Sequence, residues 1–331
     1  MTPESQIDRV VELQEVGSFI LNDRIAQSTE LKNHVIVTRI AYCCIKLCGA
    51  IMSNRFAAVL SEENPLQIIG VINAYAAIMA ERTGFRALYL SGGGCANASY
   101  GLPDVGITSL DNVCEDVRRI TSATKTPLLV DMDTGWGDEN NVARSVAQLI
   151  KAGAAAAHIE DQLFSKRCGH LDGKKIVEPA EMVARIQAAI SGKANADFYL
   201  IARTDAMQSE GLKGAIHRAQ KYIEAGADAI FAEAFTSLED YKKLSQEIKA
   251  PILANITEFG KTPLFTRDEL KAAGVTMILY PLSAFRAMNQ AALQVFKTIR
   301  HEGTQASVLG LMQDRKTLYD FLSYFAAIPR A

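Results

Sequence analysis

The sequence predicts a (β/α)₈ barrel of the TIM type, and three observations carry the prediction. Short apolar, β-branched runs alternate with longer stretches whose apolar residues recur every three or four positions. Glycines follow the helical stretches at the same point of the unit, in Lys-Ala-Gly-Ala, Glu-Ala-Gly-Ala and Ala-Ala-Gly-Val. Polar residues gather where the short runs end, as a barrel enzyme requires.

The expected strands lie at 67–72, 87–90, 127–131, 156–160, 198–203, 229–233, 251–256 and 275–280. Helical spacing fills the gaps, most regularly at 141–152, 179–190, 212–225 and 237–248. Gly153, Gly226 and Gly274 sit where a left-handed helix C-cap is expected, each leading into a strand. Eight strands, each followed by a helix, fit a closed barrel. A doubly wound open sheet has fewer strands and a Gly-rich turn after the first, where this chain has Asn73-Ala74-Tyr75.

The pattern covers residues 52–331 as one domain. Residues 1–51 read as an N-terminal extension outside it. Their apolar run at 35–52 is interrupted by Arg39 and Lys46 and is too short for a good membrane span. It reads as a packed or membrane-touching helix, or as sequence preceding a true start at Met52.

With 331 residues, 49% hydrophobic and 22% charged, the chain is long enough for one large core. A net charge of -2 gives no electrostatic reason to expect nucleic acid or membrane as partners. The six cysteines show no repeated CxxC pair, and no secretory signal opens the chain, so free thiols in a reducing cytoplasm are expected.

Chemistry concentrates at the strand ends. Lys166-Arg167-Cys168-Gly169-His170 places a thiol among basic groups, which favour its ionisation. Asp131 and Asp133 would leave an extended strand on one side and offer oxygen to a hard ion such as Mg²⁺, with Glu160 and Glu233 completing or orienting the shell. His158 has no second histidine at ligand spacing, which argues against zinc. Ser91-Gly92-Gly93-Gly94 offers backbone N–H groups to an anion, and Arg203 and Arg286 are candidate carboxylate clamps. A metal, anion receptors and an acidic thiol together suit a small polycarboxylate whose enolate must be stabilised.

Six segments recur in order: Ser91-Gly92-Gly93, Leu102-Pro103-Asp104, Asp131-Met132-Asp133, Lys166–His170, Arg203-Thr204-Asp205 and 255–260, Asn-Ile-Thr-Glu-Phe-Gly. In these the chain resembles the isocitrate lyase/phosphoenolpyruvate mutase superfamily over residues 53–331, and within it the methylisocitrate lyase branch. The resemblance implies a modified barrel whose C-terminal helix is exchanged between subunits of a homo-oligomer, usually a tetramer. It implies cleavage of the tricarboxylate (2S,3R)-2-methylisocitrate to pyruvate and succinate with Mg²⁺, or Mn²⁺ in its place. Asp131 and Asp133 would hold the metal, with Asp104 and Glu160 acting through water. Cys168 would protonate the succinate carbanion beside Lys166 and His170. Ser91, Gly92, Gly93, Gly169, Arg203, Glu233, Asn255, Thr257, Arg286 and Arg315 would contact substrate or product. Tyr89 is the candidate base at the C2 hydroxyl, its alternative being a core tyrosine.

The alternatives are an isocitrate lyase, an oxaloacetate decarboxylase or phosphonomutase, a Schiff-base aldolase and a non-catalytic binding barrel. The cysteine motif argues against the decarboxylase and mutase. The aldolase needs a desolvated, uncharged lysine near a strand end, and no expected strand carries one.

Overall fold

In a strand, alternate side chains share a face. Reading every second residue gives rows such as Ala156-His158-Glu160, Tyr199-Ile201-Arg203 and Ala229-Phe231-Glu233. Each row runs from apolar to charged toward the carboxyl end. The computed structural model turns these rows inward. It describes residues 55–324 other than Ser165, Arg167, Cys168 and Asp172. The extension at 1–51 and the thiol of Cys168 therefore lie outside the described residues.

Eight parallel strands close in chain order: β1 (Leu66–Gly70), β2 (Ala87–Leu90), β3 (Leu128–Asp131), β4 (Ala156–Glu160), β5 (Tyr199–Thr204), β6 (Ala229–Ala232), β7 (Ile252–Asn255) and β8 (Met277–Tyr280). Pairing of Leu66 with Met277 and Ile68 with Leu279 seals β1 to β8. The inward residues Ile68, Tyr89, Leu129, Ala156, Ile201, Phe231, Leu253 and Leu279 form one buried cluster. The outward residues, among them Leu88, Val130, Ile159, Leu200, Ile230 and Ile278, belong to a second cluster shared with the helices.

The described helices are α1 (Arg55–Glu62), α2 (Ala74–Arg82), α3 (Gly92–Tyr100), α4 (Leu110–Ala123), α5 (Glu139–Ala152), α6 (Pro179–Lys193), α7 (Met207–Glu224), α8 (Leu238–Glu247), α9 (Arg267–Ala272), α10 (Ser283–Glu302) and α11 (Arg315–Phe321). Local chemistry starts and stops them. Side chains of Asn73, Ser91, Ser109, Asp138, Ser237, Thr266 and Asp314 each accept a backbone N–H of the first turn, and Pro179 opens α6. Gly153, Gly226 and Gly274 take the left-handed conformation, at φ of 106°, 104° and 85°.

At the amino end of the barrel, Phe56 of α1 is fully buried against Tyr199, ring centroids 5.3 Å apart. Beyond β8, α10 has no buried residue and exposes Met288, Leu293, Phe296 and Ile299. The chain after it returns to α2, where Arg82 donates to the carbonyl of Asp320 and Phe321 meets Tyr75 edge-on.

Candidate active site

At the carboxyl end the inward rows finish in Asp131, Glu160, Arg203, Glu233 and Asn255, all buried. These residues and the loops above them enclose a cavity of about 200 Å³. Its wall includes Tyr89, Ser91, Asp104, Asp131, Lys166, Gly169, His170, Arg203, Glu233, Asn255, Thr257 and Arg286. The structure thus brings most of the expected residues to one place. Arg315 is exposed at the start of α11 and does not line this cavity.

The acidic centre forms by a turn, not by the extended strand expected from the spacing. The strand ends at Asp131, and Asp133 has a φ of 48°. Its backbone N–H donates to Oδ1 of Asp131 at 3.1 Å, while Gly135 N–H closes onto the carbonyl of Met132 at 2.8 Å. That turn brings Asp133 back beside Asp131. Ligand oxygens of Asp131, Asp133 and Glu160 all lie within 4.8 Å of one another.

Burial and the neighbouring Asp131 push the Asp133 carboxyl up to about 7. Burial acts on Asp131 in the same direction, but the Lys166 and Arg203 cations and the Asp133 backbone N–H outweigh it and hold that carboxyl below its ordinary range. The ammonium of Lys166 already sits among these groups, paired with Asp133 and 2.9 Å from Asp104. Oε1 of Glu160 has no hydrogen-bond partner among the described residues. Crowded carboxylates, one with a vacant oxygen, fit a hard divalent cation whose charge relieves their repulsion.

Two glycines lie against this centre. Gly92 donates its N–H to Oδ2 of Asp131 at 3.0 Å, and a Cβ there would lie 3.1 Å from both Asp131 and Asp133. A Cβ on Gly93 would lie 2.8 Å from the Asp104 carboxylate. The Ser91–Gly94 segment is therefore the ordered first turn of α3, capped by Ser91, and not a flexible turn.

Tyr89 is fixed from two sides. Its hydroxyl is 2.9 Å from Nε2 of His158 and donates to Oδ2 of Asp131 at 3.3 Å. Burial and Asp131 push the phenol well above its ordinary range, so it is held protonated here. Burial lowers His158 to about 4, so the imidazole beside it is neutral.

On the opposite wall Arg203 makes a two-pronged contact with Asp205, at 2.9 and 3.2 Å, and stands 3.4 Å from Glu160 and 3.5 Å from Glu233. Its guanidinium lies over the ring of Phe231. Burial raises Glu233, but Arg203 and His170 overcome this and hold it ionised. His170 accepts the Lys261 backbone N–H on Nδ1 at 3.1 Å, which places its ring proton on Nε2, 3.0 Å from Glu233. The same nitrogen lies 3.2 Å from Nδ2 of Asn255. Arg286 lies at the mouth, 3.6 Å from Glu258 and over Phe259.

The lysine of the basic loop is also not a solvated cation. Lys166 is 7% exposed, and although burial lowers its pKa, Asp133 and Asp131 raise it well above its ordinary value. A charged amine is a poor nucleophile toward a carbonyl, which argues against a Schiff base at Lys166. Sequence reading passed over Phe231 and Lys174, weighed His158 only as a zinc ligand and named Asp205 only within the Arg203-Thr204-Asp205 segment. The signal for His158, Phe231 and Asp205 was the inward row at each strand end; Lys174 left none.

A family model described as phosphoenolpyruvate phosphomutase matches residues 56–300. The 2-methylisocitrate lyase of Escherichia coli is 57% identical over 271 residues, covering 82% of this chain and 92% of that protein. The 2-methylisocitrate lyase of Shewanella oneidensis is 55% identical, covering 82% and 93%. Among solved structures, 2,3-dimethylmalate lyase aligns with a TM-score of 0.77 at 31% identity, covering 83% of this chain and 93% of that one. Phosphonopyruvate hydrolase in complex with oxalate and Mg²⁺ aligns at 0.72 and 30%, covering 83% and 96%. With its closed barrel, buried carboxylates and Arg203–Glu233 wall, the chain belongs to the phosphoenolpyruvate mutase/isocitrate lyase superfamily and, within it, to the carbon–carbon lyases of the 2-methylisocitrate lyase family.

Proposed function

We propose that the protein cleaves (2S,3R)-2-methylisocitrate to pyruvate and succinate, as a step of the methylcitrate route of propionate catabolism. We propose further that it acts with Mg²⁺ as a cytoplasmic homo-oligomer, a tetramer. The observation that carries this reading is one cavity joining a carboxylate set that fits a divalent cation to a cationic and amide wall that fits a polycarboxylate. Similarity to 2-methylisocitrate lyases supports the choice of substrate.

Asp131 and Asp133 would hold the ion, with Asp104 and Glu160 engaged through water. Bound there, Mg²⁺ would lower the cost of negative charge on the C2 oxygen as its proton leaves. Arg203, Arg286, Asn255 and Thr257 would receive substrate carboxylates, with the first turn of α3 at Ser91 and Gly93 closing the other side. Gly169, pressed against Arg203 and Glu233, would bound the succinate half. Tyr89, whose hydroxyl lies 3.3 Å from Asp131, would take the proton of the C2 hydroxyl as the tyrosinate, a form that the charge of an ion bound at Asp131 would favour. Cys168 would deliver the proton to the succinate carbanion. The exposed apolar face of α10 supports its packing on a second copy, through which Arg315 would reach a neighbouring site.

The test compares kcat/KM for 2-methylisocitrate and isocitrate. A methyl pocket discriminates by about 1–3 kcal/mol, or ~10–200-fold, so weak isocitrate cleavage is compatible. Equal or better turnover of isocitrate would reassign the enzyme as an isocitrate lyase. No turnover of either acid in Mg²⁺ would remove the lyase reading.

A further inference from the structure

The loop between β4 and α6 spans residues 161–178 and is closed at its stem. Leu163 N–H donates to the carbonyl of Lys175 at 2.9 Å, and Val177 N–H to that of Asp161 at 2.8 Å. Arg185 caps the carbonyls of Glu160 and Gln162, at 3.1 and 2.8 Å. Above this stem stands Lys174. Its ammonium donates to the carbonyl of Gly169 at 2.6 Å and to Oδ1 of Asp205 at 2.8 Å. The Lys174 side chain is 3% exposed and that of Asp205 0%. Asp205 is the same carboxylate that grips Arg203 with both oxygens.

A buried ammonium is costly, and an apolar chain of the same length would cover this surface without that cost. What an apolar chain lacks is a pair of directional donors. One joins the loop backbone at Gly169, and the other joins the carboxylate that orients Arg203. Gly169 also lies close against the wall, since a Cβ there would fall 2.3 Å from Arg203.

We infer that Lys174 is a positioning residue for the reaction: by bridging the Gly169 carbonyl to Asp205, it sets where the Gly169–His170 segment meets Arg203 and Glu233. The inference rests on the lyase reading above for its kinetic consequence, though not for its structural one. Lys174 touches no reacting atom. Its loss would leave the loop attached at the stem but free to shift at Gly169.

The experiment uses the full chain with Mg²⁺, as wild type, Lys174→Met and Lys174→Arg. Hydrogen exchange is followed by mass spectrometry without substrate, and turnover of 2-methylisocitrate is measured in parallel. In Lys174→Met, exchange in peptides covering 164–173 should quicken while peptides of β4 and β5 keep their protection. Its kcat should fall by about tenfold or more with KM changing less than ~3-fold, as expected for misplacement without loss of substrate binding. Lys174→Arg should recover part of both. Unchanged exchange at 164–173 would overturn the inference, as would wild-type kcat in Lys174→Met. Faster exchange throughout the barrel would also overturn it, since it would mark a structural role only. If wild type itself fails to cleave the substrate, the lyase reading falls, and the exchange data still decide whether Lys174 positions the loop.

Discussion

Gly169→Ala tests how closely the loop must seat on the Arg203–Glu233 wall. A Cβ at this position would lie 2.3 Å from Nη2 of Arg203 and 2.7 Å from Cγ and Cδ of Glu233. Favourable contacts begin at ~3.5 Å, so the loop or the wall must yield by about 1 Å. The wall is the stiffer side, because Arg203 is held by Asp205, flanked by Glu160 and Glu233, and stacked over Phe231. The loop therefore moves. A displacement near 1 Å at a reacting centre costs on the order of 10²-fold in rate, or about 2.7 kcal/mol of transition-state stabilisation. In the unfolded chain the substitution removes some backbone entropy, which offsets part of any cost of the contact. The expected result is a fall of about 10² in kcat/KM with a thermal transition close to wild type, read by coupled pyruvate detection and calorimetry. Activity near that of wild type would refute the close approach.

Three further outcomes are expected. Asp133→Ala should weaken Mn²⁺ binding in calorimetric titration and abolish turnover while leaving thermal stability intact, because the carboxyl it removes is one that burial and Asp131 already disfavour as an anion; undiminished metal affinity would clear Asp133 of the role. Cys168→Ser should bind succinate normally yet lose at least ~10²-fold in kcat, the low end for a general acid, and near-normal turnover would move the proton donor elsewhere. Cys95 should resist alkylation at pH 9 in the native enzyme and react at once in denaturant, since burial and the Asp116 carboxylate that it bonds at 3.2 Å push its thiol well up; stoichiometric labelling of the native enzyme at Cys95 would contradict that placement.

The lysine bridge and the Gly169 contact describe one requirement from two sides. The stem fixes the loop's base, Lys174 fixes the carbonyl at Gly169, and the absence of a side chain at 169 admits Arg203. Lys166 and His170 then pin the loop to opposite halves of the cavity, one at Asp104 and Asp133, the other at Glu233 and Asn255. On the function proposed above, substrate binding and loop position would thereby be linked through the same carboxylates.

What the sequence by itself determined is whatever depends on period and on nearest neighbours. A period of two, carried in rows such as Ala229-Phe231-Glu233, specified both that a strand would form and that its last inward side chain would be charged. The glycines at 153, 226 and 274 act over one helical turn, so the helix ends they mark were readable to within a few residues. What only the tertiary structure decided are contacts between residues far apart in the chain. Asp133 joins Asp131 through a left-handed turn, contrary to the extended spacing. Tyr89 meets His158 across 69 positions, Lys174 meets Asp205 across 31, and His170 takes its hydrogen bond from the Lys261 backbone across 91. No local propensity encodes such pairs. They arise because closing the barrel brings the carboxyl ends of eight strands to one rim, where groups must find partners to offset the cost of burial.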